Sequence, residues 1–579
     1  PGHIALHRPG HADVPLERDA DGYGRVEIPG VRPGDRYGFR LDGRDARPDP
    51  ASRWQPDGVH GLSAVVDPHP FVWHDAGAAA PALAELVLYE LHVGTFTPEG
   101  TFDAAIAKLD GLRDLGVNAV EPLPIAQFPG SRNWGYDGVH PYAVQNSYGG
   151  PDAFRRFVDA SHARGLAVVL DVVYNHFGPE GNYLSEFGPY FTDRYLTPWG
   201  AALNVDGEHA DDVRRFFLEN ALMWLRDFHV DGLRLDAVHA IVDGSAYPFL
   251  AELADVVHAD ARALGRAGYL IAESNRNDPR VIRPRAHGGW GHDAQWSDDF
   301  HHALHTALTG ERNGYYQDFG RLEHLAMAYG RGFVYAGERS AFHKRRHGAS
   351  PAGVRGEQLV ISTQTHDQIG NRMRGDRLSA LVGFAELKLA AAALLCAPCT
   401  PMLFMGEEHG ERAPFAFFTS HDDGELIEAV RRGRAYEFAS FAWQGEVPDP
   451  QAEDTFRAAL LTPPERWSEE QQCLRRLYAR LIALRRELPA LRDRTLDPSL
   501  VEVREDAKVV AVTRPGQPNA LLLLAFGGDA ERPLPTGRWR VILDTADREW
   551  DGPHTRAAGE ASDHVTVHGR SALLLERAG

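Results

Sequence analysis

The sequence predicts an α/β protein whose centre is a closed (β/α)8 barrel, or TIM barrel, flanked by two β-rich domains. Between residues 86 and 490, eight short apolar segments suited to strands alternate with segments of helical period. Several strand candidates are almost continuously apolar, which is typical of parallel strands buried on both faces. A doubly wound sheet is the alternative, but eight strand–helix units in a 579-residue chain favour the barrel.

The strand candidates are separated by turn residues and helical patterns. They are residues 86–92, 117–123, 166–173, 232–238, 269–274, 293–300, 359–367 and 401–408. The clearest helical patterns are 102–115, 152–164, 211–228 and 469–487. Thr101 is the expected N-cap of the first of these helices, and Pro151 favours entry into the second.

The segments outside the barrel show the short alternating runs and glycine-rich turns of β-structure. Residues 1–85 are predicted to form a β-sandwich with one strand at 25–28, and 75–81 is a Pro- and Ala-rich linker. Residues 491–579 are predicted to form an antiparallel β-domain, with strands at 501–503, 509–513, 520–525, 539–543 and 571–575. Two long connections, 174–210 and 408–464, follow strand ends and are expected to be functional.

Charge and cysteine content narrow the class of partner and the compartment. The formal net charge is −20, and so acidic a protein lacks the basic footprint that nucleic-acid binding requires. The chain has three cysteines, too few for a disulfide framework, and Cys396 and Cys399 are expected to be buried thiols. No apolar run is long enough for a membrane span and no signal peptide is evident, so we expect a cytoplasmic protein that binds no membrane.

The stretch 232–239, Gly-Leu-Arg-Leu-Asp-Ala-Val-His, carries charge on one face of a predicted strand. Arg234 and Asp236 are two residues apart and therefore point to the same side. A guanidinium favours the ionised form of a neighbouring carboxyl group, and a carboxylate nucleophile must be ionised. On this stretch alone, a structural ion pair explains the pattern equally well.

Polar groups also follow three other apolar strands. Asp171 and His176 lie at the end of the third strand, Glu273 after the fifth, and His366 and Asp367 at the end of the seventh. Because the carboxyl ends of barrel strands converge, we expect these groups to meet in one site.

Carboxyl groups that share a site acquire different pKa values. Asp236, beside Arg234, is the expected anion, whereas Glu273 has no cation next to it in the sequence and is the expected general acid. This division of roles fits glycoside hydrolysis through a covalent intermediate, which requires the two carboxyl groups to be about 5–5.5 Å apart.

Metal binding is the rival use for clustered carboxylates and histidines. The group His301, His302 and His305 and the pair His343 and His347 suggest it, but neither supplies a complete ligand set with standard spacing. We therefore expect no catalytic metal.

Aromatic residues suited to sugar rings lie near the predicted site, because sugar rings have apolar faces and polar edges. Tyr136, which follows the second strand, is predicted to contact the substrate. Trp199 and Trp290 fit either a sugar contact or packing within the loops.

Four segments resemble the signature regions of the α-amylase family of retaining α-glucosidases: 171–176, 232–239, 272–273 and 366–367. The resemblance covers most of residues 86–490. It implies that Asp236 is the nucleophile, that Glu273 is the acid/base, and that Asp367 stabilises the transition state by holding hydroxyls of the distorted sugar.

The same resemblance implies that Arg234 tunes Asp236, that His176 and His366 bond the sugar at the scissile bond, and that Tyr136 stacks on it. Many α-amylases have Lys-His after the nucleophile where this chain has His239-Ala240, so we expect different handling of the leaving group. Asn175 matches a calcium-ligand position of amylases, but the following loop does not supply the other ligands. We expect no obligatory calcium and no cofactor.

A narrower set of segments resembles the maltooligosyltrehalose trehalohydrolases: 121–130, 134–138, 273–280, 293–302, 404–408 and 414–418. These enzymes cut the α-1,4 bond next to a terminal trehalose unit, so the resemblance implies maltooligosyl trehalose as the substrate. It adds predicted substrate contacts at Asp298, Asp299, Phe300, His301 and His302, beside His239, Gln368 and Asn371 of the signature regions. Glu407 and Glu408 are candidates for holding the distal glucose of the trehalose unit.

Two other functions remain open from the sequence. A glucan branching enzyme would transfer the chain to a 6-hydroxyl, and it shares the N-terminal sandwich, but the loop 128–130 resembles the trehalohydrolases instead. A catalytically silent barrel that only binds glucan or a protein would have no need of Asp236, Glu273 and Asp367, all of which this chain keeps.

Overall fold

The computed structural model describes residues 1–20, 22–67, 71–439, 447–555 and 560–578. Its centre is a closed barrel of eight parallel strands, which confirms the predicted fold class. In chain order, β1 to β8 are Leu88–Leu91, Ala119–Pro122, Ala167–Val172, Gly232–Leu235, Tyr269–Ala272, Ala294–Trp296, Leu359–Ser362 and Thr400–Phe404. Strand β1 pairs with both β2 and β8, and this pairing closes the barrel.

Three strands end earlier than the sequence pattern predicts. Strand β6 stops at Trp296, and residues 298–300 begin the helix Asp298–Thr309, whose first turn carries two acidic residues suited to the helix dipole. After β7, the short helix His366–Gly370 begins behind an N-cap at Thr365. Beyond β8, Glu407–His409 forms a 3-10 turn. Several predicted site residues therefore lie on helical turns that directly follow the strands.

Helices surround the barrel and bury its outer face. The longer ones are Gly150–His162, Ala210–Asp227, Phe249–Leu264, Asp298–Thr309, Leu322–Arg331, Phe384–Leu395 and Glu469–Glu487. Another long helix, Gly424–Ala439, belongs to the second long connection. The shorter helices are Val93–Phe96, Phe102–Ile106, Leu109–Leu115, Leu184–Phe187, Leu378–Leu381, Glu453–Ala458 and Pro489–Arg492. The predicted helix 102–115 is thus two helices, and the Thr101 side chain caps the first by accepting a hydrogen bond from the Ala104 N–H.

Both long connections contain secondary structure. The first contains the helix Leu184–Phe187 and a hairpin of Phe191–Thr197 with Gly200–Leu203. The second contains the helices Gly424–Ala439 and Glu453–Ala458, and its residues 440–446 lie outside the described part of the chain. A further short pair, Ala126–Gln127 with His140–Val144, frames the segment that carries Tyr136.

The chain before the barrel forms a five-stranded antiparallel sheet and a separate two-stranded ribbon. The sheet contains Ile4–His7, Val14–Pro15, Arg36–Leu41, Ala46–Arg47 and Ser63–Ala64. The ribbon pairs Glu17–Arg18 with Gly24–Arg25, so only Arg25 of the predicted strand 25–28 lies in a strand.

The chain after the barrel forms a six-stranded antiparallel sheet and a second ribbon. The sheet contains Val501–Arg504, Val509–Arg514, Ala520–Ala525, Arg538–Asp544, Glu560–Ala561 and Ser571–Ala578. The ribbon pairs Ala530–Pro533 with His564–Val567. The domain boundaries at 85/86 and 490/491 stay predictions.

Cys396 and Cys399 are buried free thiols, as the sequence predicts, and Cys473 is a third one. Burial raises the pKa of Cys396 and of Cys399 to about 12, so both are inert thiols at neutral pH. Within the residues that the structure describes, we find no helix that combines the length and the apolar character needed to cross a membrane.

Candidate active site

Three carboxyl groups and one guanidinium meet at the carboxyl ends of β3, β4 and β5. Asp171 lies beside Arg234 in the register of β3 and β4. Asp236 and Glu273 occupy the positions directly after the adjacent strands β4 and β5. Residues distant in the sequence are therefore neighbours because adjacent parallel strands end at the same level.

The Arg234 guanidinium is the centre of this group. Its Nη1 donates to both carboxylate oxygens of Asp171 and to Oδ1 of Asp236, each at 2.9 Å. Its Nη2 lies 3.8 Å from Oε2 of Glu273, and the indole of Trp296 covers the guanidinium at 4.2 Å from the ring centroid. One fully buried cation thus faces three carboxyl groups, and it cannot balance all three in the ionised form.

Asp236 and Glu273 differ in how they meet this cation. Asp236 accepts a direct hydrogen bond from Arg234, which favours the carboxylate. Burial raises the pKa of Glu273 to about 8, because the attraction of the more distant Arg234 is too weak to offset it and the charge of Asp236 adds to it. Glu273 is therefore protonated near neutral pH, as a general acid must be.

The backbone after Asp236 joins the two groups. Ala237 has a left-handed conformation with φ of 39°, which is uncommon for a residue with a Cβ. In this conformation its N–H donates to Oε2 of Glu273 at 2.5 Å. Strained backbone of this kind is concentrated at functional sites. The turn after the predicted nucleophile therefore positions the predicted acid.

Tyr136 connects this group to the end of β7. Its hydroxyl donates to Oδ2 of Asp171 at 2.6 Å, and its ring stacks on His366 with centroids 5.1 Å apart. Nε2 of His366 lies 3.5 Å from Oδ1 of Asp367. Burial raises the pKa of Asp171 to about 6 against the opposing effect of Arg234. The structure thus brings the predicted catalytic residues and Tyr136 and His366 into one connected group.

A cavity of about 220 Å³ lies beside Glu273 and Asp367. Its wall includes Asp298, whose pKa is raised to about 7 by burial and by the charge of Asp367. Rings and amides complete the wall: Asn275, Asn277, His302, Tyr315, Tyr335 and Phe342. Rings next to hydrogen-bonding groups suit a sugar. Glu273 lines this cavity and Asp236 does not, so the cavity lies on the acid's side of the pair.

Five of the predicted substrate contacts line the same cavity: Asp298, Asp299, His302, Gln368 and Asn371. Asp298 and His302 are one helical turn apart and therefore share a face. Asp299 also holds the wall together, because its Oδ2 accepts hydrogen bonds from the Asn277 amide at 2.8 Å and the Val334 N–H at 2.6 Å.

Phe300 and His301, which the sequence predicts as substrate contacts, lie in the core instead. Phe300 is 1% exposed and packs its ring edge-on against Tyr329. His301 is buried, with its ring nitrogens 2.6 Å from the Thr363 carbonyl oxygen and 2.9 Å from the Tyr316 hydroxyl. The helical period explains the correction, since Asp298, Asp299 and His302 lie on one face of the helix Asp298–Thr309 and Phe300 and His301 on the other.

Glu407 and Glu408, the candidates for the distal glucose, are also buried away from the cavity. Glu407 accepts hydrogen bonds from Thr363 at 2.7 Å and Tyr478 at 2.9 Å. Glu408 accepts one from Tyr89 at 3.2 Å. These contacts engage both carboxylates under the end of β8, so the assignment to the distal glucose is wrong.

His176 and His239 lie near the group but outside the cavity wall. Nε2 of His176 is 2.9 Å from the Tyr136 carbonyl oxygen, and its ring stacks on Trp199 with centroids 4.7 Å apart. Trp199 is 47% exposed on the hairpin of the first long connection. His239 follows Asp236 within the turn Val238–Ala240, and burial lowers its pKa.

The described residues contain no group of three His, Cys, Asp or Glu side chains arranged to hold a metal ion. In the two histidine clusters that suggested one, His305 lies 2.8 Å from Glu311, and His343 stacks on His347 at 4.2 Å. The expectation that the enzyme needs neither a catalytic metal nor calcium stays a prediction.

Comparison with known proteins decides the family. The alpha amylase catalytic domain family matches residues 58–195. A malto-oligosyltrehalose trehalohydrolase of Saccharolobus solfataricus is 49% identical over 82% of this chain and 81% of that protein. One from Arthrobacter ramosus is 52% identical over 83% of this chain and 84% of that protein. The chain belongs to the malto-oligosyltrehalose trehalohydrolase family.

A solved structure shares this fold, and a branching enzyme is a more distant relative in sequence. A 1.4 Å crystal structure of a proposed alpha amylase from Salmonella typhimurium superposes with a TM-score of 0.89 at 39% identity, over 99% of this chain and 96% of that one. A glucan branching enzyme of Burkholderia thailandensis is 31% identical, and the match covers 70% of this chain and 51% of that protein. The trehalohydrolase resemblance of the sequence is therefore confirmed, and the branching-enzyme alternative corresponds to a more distant relative.

Sequence reasoning missed two kinds of residue that contact this trehalohydrolase-family site. Glu90 on β1 bonds His366, and its signal is available, since it is one acidic residue within an apolar strand pattern. Asn275, Tyr315 and Tyr335 of the cavity wall come from loops or short turns without a regular period, so no pattern marks them.

Proposed function

We propose that the chain hydrolyses the α-1,4-glucosidic bond next to the terminal trehalose unit of maltooligosyl trehalose, with retention of configuration, and releases trehalose. The observation that carries the proposal is the placement of Asp236 and Glu273 around one buried guanidinium at adjacent strand ends. Relatives named malto-oligosyltrehalose trehalohydrolase, at 49% and 52% identity, support the substrate.

In the first step, a carboxylate oxygen of Asp236 attacks the anomeric carbon of the glucose at the scissile bond. The bond from that carbon to the 4-oxygen of trehalose breaks, and Glu273 gives its proton to this oxygen. The product is a glycosyl ester on Asp236 and free trehalose. Retention requires the two carboxyl groups to be about 5–5.5 Å apart, and this spacing stays a prediction.

In the second step, water attacks the same carbon. Glu273, now a carboxylate, takes a proton from the water, and the ester bond to Asp236 breaks. Two inversions restore the α configuration. In both transition states positive charge develops on the sugar, and the carboxylate of Asp367 beside the cavity stabilises it.

The cavity beside Glu273 receives the trehalose unit. A general acid must lie within hydrogen-bond reach of the leaving oxygen, so the leaving group occupies the acid's side of the pair. The wall groups Asp298, His302, Gln368 and Asn371 offer polar contacts there, and Tyr315 and Phe342 offer ring faces.

The maltooligosyl chain extends to the other side. Arg234 holds Asp236 by a hydrogen bond, Tyr136 and His366 contact the sugar at the scissile bond, and His239 lies in the turn that follows Asp236. The imidazole of His176 stacks on the indole of Trp199 next to these groups. The exposed indole of Trp199 offers a ring face to the next sugar of the chain.

We place the protein in the cytoplasm and propose maltooligosyl trehalose as its one partner, with no nucleic acid and no membrane. The net charge of −20 and the buried free cysteines support this assignment. We also propose three domains, with an N-terminal β-sandwich at 1–85, the catalytic barrel at 86–490 and a C-terminal β-domain at 491–579; the strand ranges support the division.

Product analysis tests the proposal directly. Incubation with maltooligosyl trehalose should yield trehalose and a maltooligosaccharide shortened accordingly, separated by anion-exchange chromatography. Proton NMR during the first minutes should show the α anomer at the new reducing end. Release of glucose or maltose alone would refute the trehalose-releasing function, and new α-1,6 links in amylose at constant reducing-end count would identify a branching enzyme.

A further inference from the structure

Glu90 binds His366 at two points. Its Oε1 lies 2.5 Å from Nδ1 of the imidazole, and its Oε2 accepts a hydrogen bond from the His366 backbone N–H at 3.1 Å. Glu90 belongs to β1 and is 1% exposed, and His366 is 1% exposed at the end of β7. This carboxylate therefore fixes both the ring and the backbone of a residue from another strand.

Aromatic rings fix the remaining freedom of the imidazole. Tyr136 stacks on one face at 5.1 Å between centroids, and Trp134 and Trp296 meet the ring edge-on at 5.5 and 6.2 Å. With Nδ1 held by Glu90, Nε2 points toward Asp367, 3.5 Å from Oδ1. The ring therefore presents one nitrogen to the substrate side of the site.

Titratable groups from several barrel strands and the turns after them surround His366. The titratable groups that face it are Glu90, His92, Glu121, Asp171, Arg234, Asp367 and the Tyr136 hydroxyl. Burial alone lowers the pKa of His366, but the charges of Glu90 and Asp367 outweigh it and raise the pKa to about 9. Burial lowers the pKa of His92 to about 4, so that ring is neutral.

Glu121 lies beside Glu90 in the register of β1 and β2, yet the two carboxyl groups differ. Burial and the neighbouring charge of Glu90 raise the pKa of Glu121 far above its usual range, and its oxygens have no hydrogen-bond partner among the described residues. Glu121 is thus a neutral acid. Glu90 is the carboxylate of this pair that faces a cation.

We propose that Glu90 is a positioning residue that keeps His366 doubly protonated, with its Nε2–H directed at a substrate hydroxyl and at Asp367. The inference rests on the proposed function, in which His366 contacts the sugar at the scissile bond. A charged donor makes a stronger hydrogen bond than a neutral one. Because Glu90 neutralises the imidazolium, the pair supplies that donor without adding net positive charge beside a sugar that becomes positive in the transition state.

Replacing Glu90 by glutamine tests the charge and preserves the shape. In Glu90→Gln we expect kcat on maltooligosyl trehalose to fall about 10- to 100-fold, as for other partners that orient a histidine, with a smaller change in KM. Glu273 sets the wild-type high-pH limb near pH 8, below the pKa of about 9 of His366. In Glu90→Gln the high-pH limb of kcat should also move down by about one pH unit or more, because the imidazole loses its anionic partner and then deprotonates before Glu273 does. Glu90→Asp, which keeps the charge, should retain the wild-type limb.

Glu121→Gln is the matched control. It makes the same chemical change at the neighbouring position of β2, but Glu121 is already neutral, so its high-pH limb should stay that of the wild type. A double variant with His366→Gln adds a second test. If Glu90 acts through His366, Glu90→Gln should add little to the loss already caused by His366→Gln.

The proposal is overturned if Glu90→Gln lowers the melting temperature but leaves the pH limb in place, or if its effect adds fully to that of His366→Gln. If Glu90→Gln does not fold, NMR of wild-type protein labelled with 15N-histidine tests the proposal. The resonance of His366 is identified as the one that is missing in His366→Gln. At pH 8 it should be that of an imidazolium, and the resonance of a neutral ring would refute the proposal. If the wild type released no trehalose, only the proposed function would be refuted. The high-pH limb of kcat could still be measured on any α-1,4-glucan that the protein cleaves, so the role of Glu90 would remain testable.

Discussion

Two buried charge clusters lie at opposite ends of the barrel, and they differ in how their charges are balanced. The carboxyl-end cluster consists of Asp171, Arg234, Asp236 and Glu273. The amino-end cluster consists of Asp75, His162, His229, Asp231 and Arg266. There, Oδ2 of Asp75 lies 3.0 Å from His162, 2.8 Å from His229 and 3.1 Å from Arg266, and His162 lies 2.8 Å from Asp231.

The pKa values show the consequence. Burial would raise the pKa of Asp75, but hydrogen bonds from Arg266 and His229 hold it at about 2. At the other end, burial raises the pKa of Glu273 to about 8, and Arg234, which is shared with two nearer carboxylates, does not offset this effect. The matched cluster is structural, and the unmatched one leaves an acid with a proton to donate. A buried carboxyl group whose cation is shared with two other carboxylates distinguishes the proposed catalytic end of this barrel.

The strongest way to break the comparison is to remove one carboxylate at the catalytic end. Asp236→Asn should lower kcat by about 10⁴-fold or more, because no other group forms the glycosyl intermediate. The melting temperature should change little, since the cluster already carries excess negative charge. Steady-state kinetics and calorimetry on the same preparation check both expectations. Activity within tenfold of the wild type would reject the assigned nucleophile.

The opposite outcome is expected at the amino end. Asp75→Asn leaves His162 and Arg266 without their shared anion and should destabilise the fold by about 3 kcal/mol. Its kcat at a temperature where the variant is folded should equal that of the wild type. Because the folded pKa of Asp75 is about 2 and its usual value is 3.8, the stabilisation is present above about pH 4 and disappears as the pH falls toward 2. A variant with normal stability and low activity would contradict the comparison.

The pH dependence of the reaction sharpens the contrast. Glu273 must be protonated for the first step, and its pKa is about 8, so kcat/KM should fall about tenfold per pH unit above that pH. In Glu273→Gln this high-pH limb should disappear along with most of the activity. If kcat/KM of the wild type instead began to fall above about pH 5, the range of an ordinary carboxyl group, Glu273 would not be the acid.

The smallest effect is expected at Trp199, an exposed ring on the hairpin of the first long connection, where no charge is involved. Trp199→Ala removes an exposed ring that stacks on His176 and should raise KM for long maltooligosyl trehaloses by about five- to tenfold, equivalent to roughly 1 kcal/mol of ring contact. Trp290→Ala is the control, because Trp290 lies against Arg280 outside the cavity wall. Equal effects of the two substitutions would remove Trp199 from the binding surface.

The barrel and the convergence of the predicted catalytic carboxylates can be predicted because each depends on a local rule. Apolar strand patterns locate β3, β4 and β5, and a polar residue at the end of such a strand faces the site. Arg234 and Asp236 follow from period-two alternation alone. The sequence also places Glu273 apart from Arg234, so the cation does not offset the effect of burial, which raises the pKa of Glu273.

The parts that sequence reasoning misses depend on where a pattern changes. The sequence analysis extends the sixth strand to residue 300, but the chain turns into a helix at Asp298, and this helix places Phe300 and His301 in the core. Glu407 follows β8 in the same way as the catalytic residues follow their strands, yet its carboxylate is held by Tyr478 from a distant helix. Tertiary partners of this kind have no signature in the sequence.

Trapping the covalent intermediate tests the central claim most directly. A fluorinated α-glucosyl fluoride should react with Glu273→Gln and leave one sugar on the protein, because the fluoride leaves without acid help and the second step lacks its base. Peptide mass spectrometry should then find the sugar on Asp236. A sugar on Asp171, Asp367 or another residue, or turnover without any trapped ester, would contradict the account.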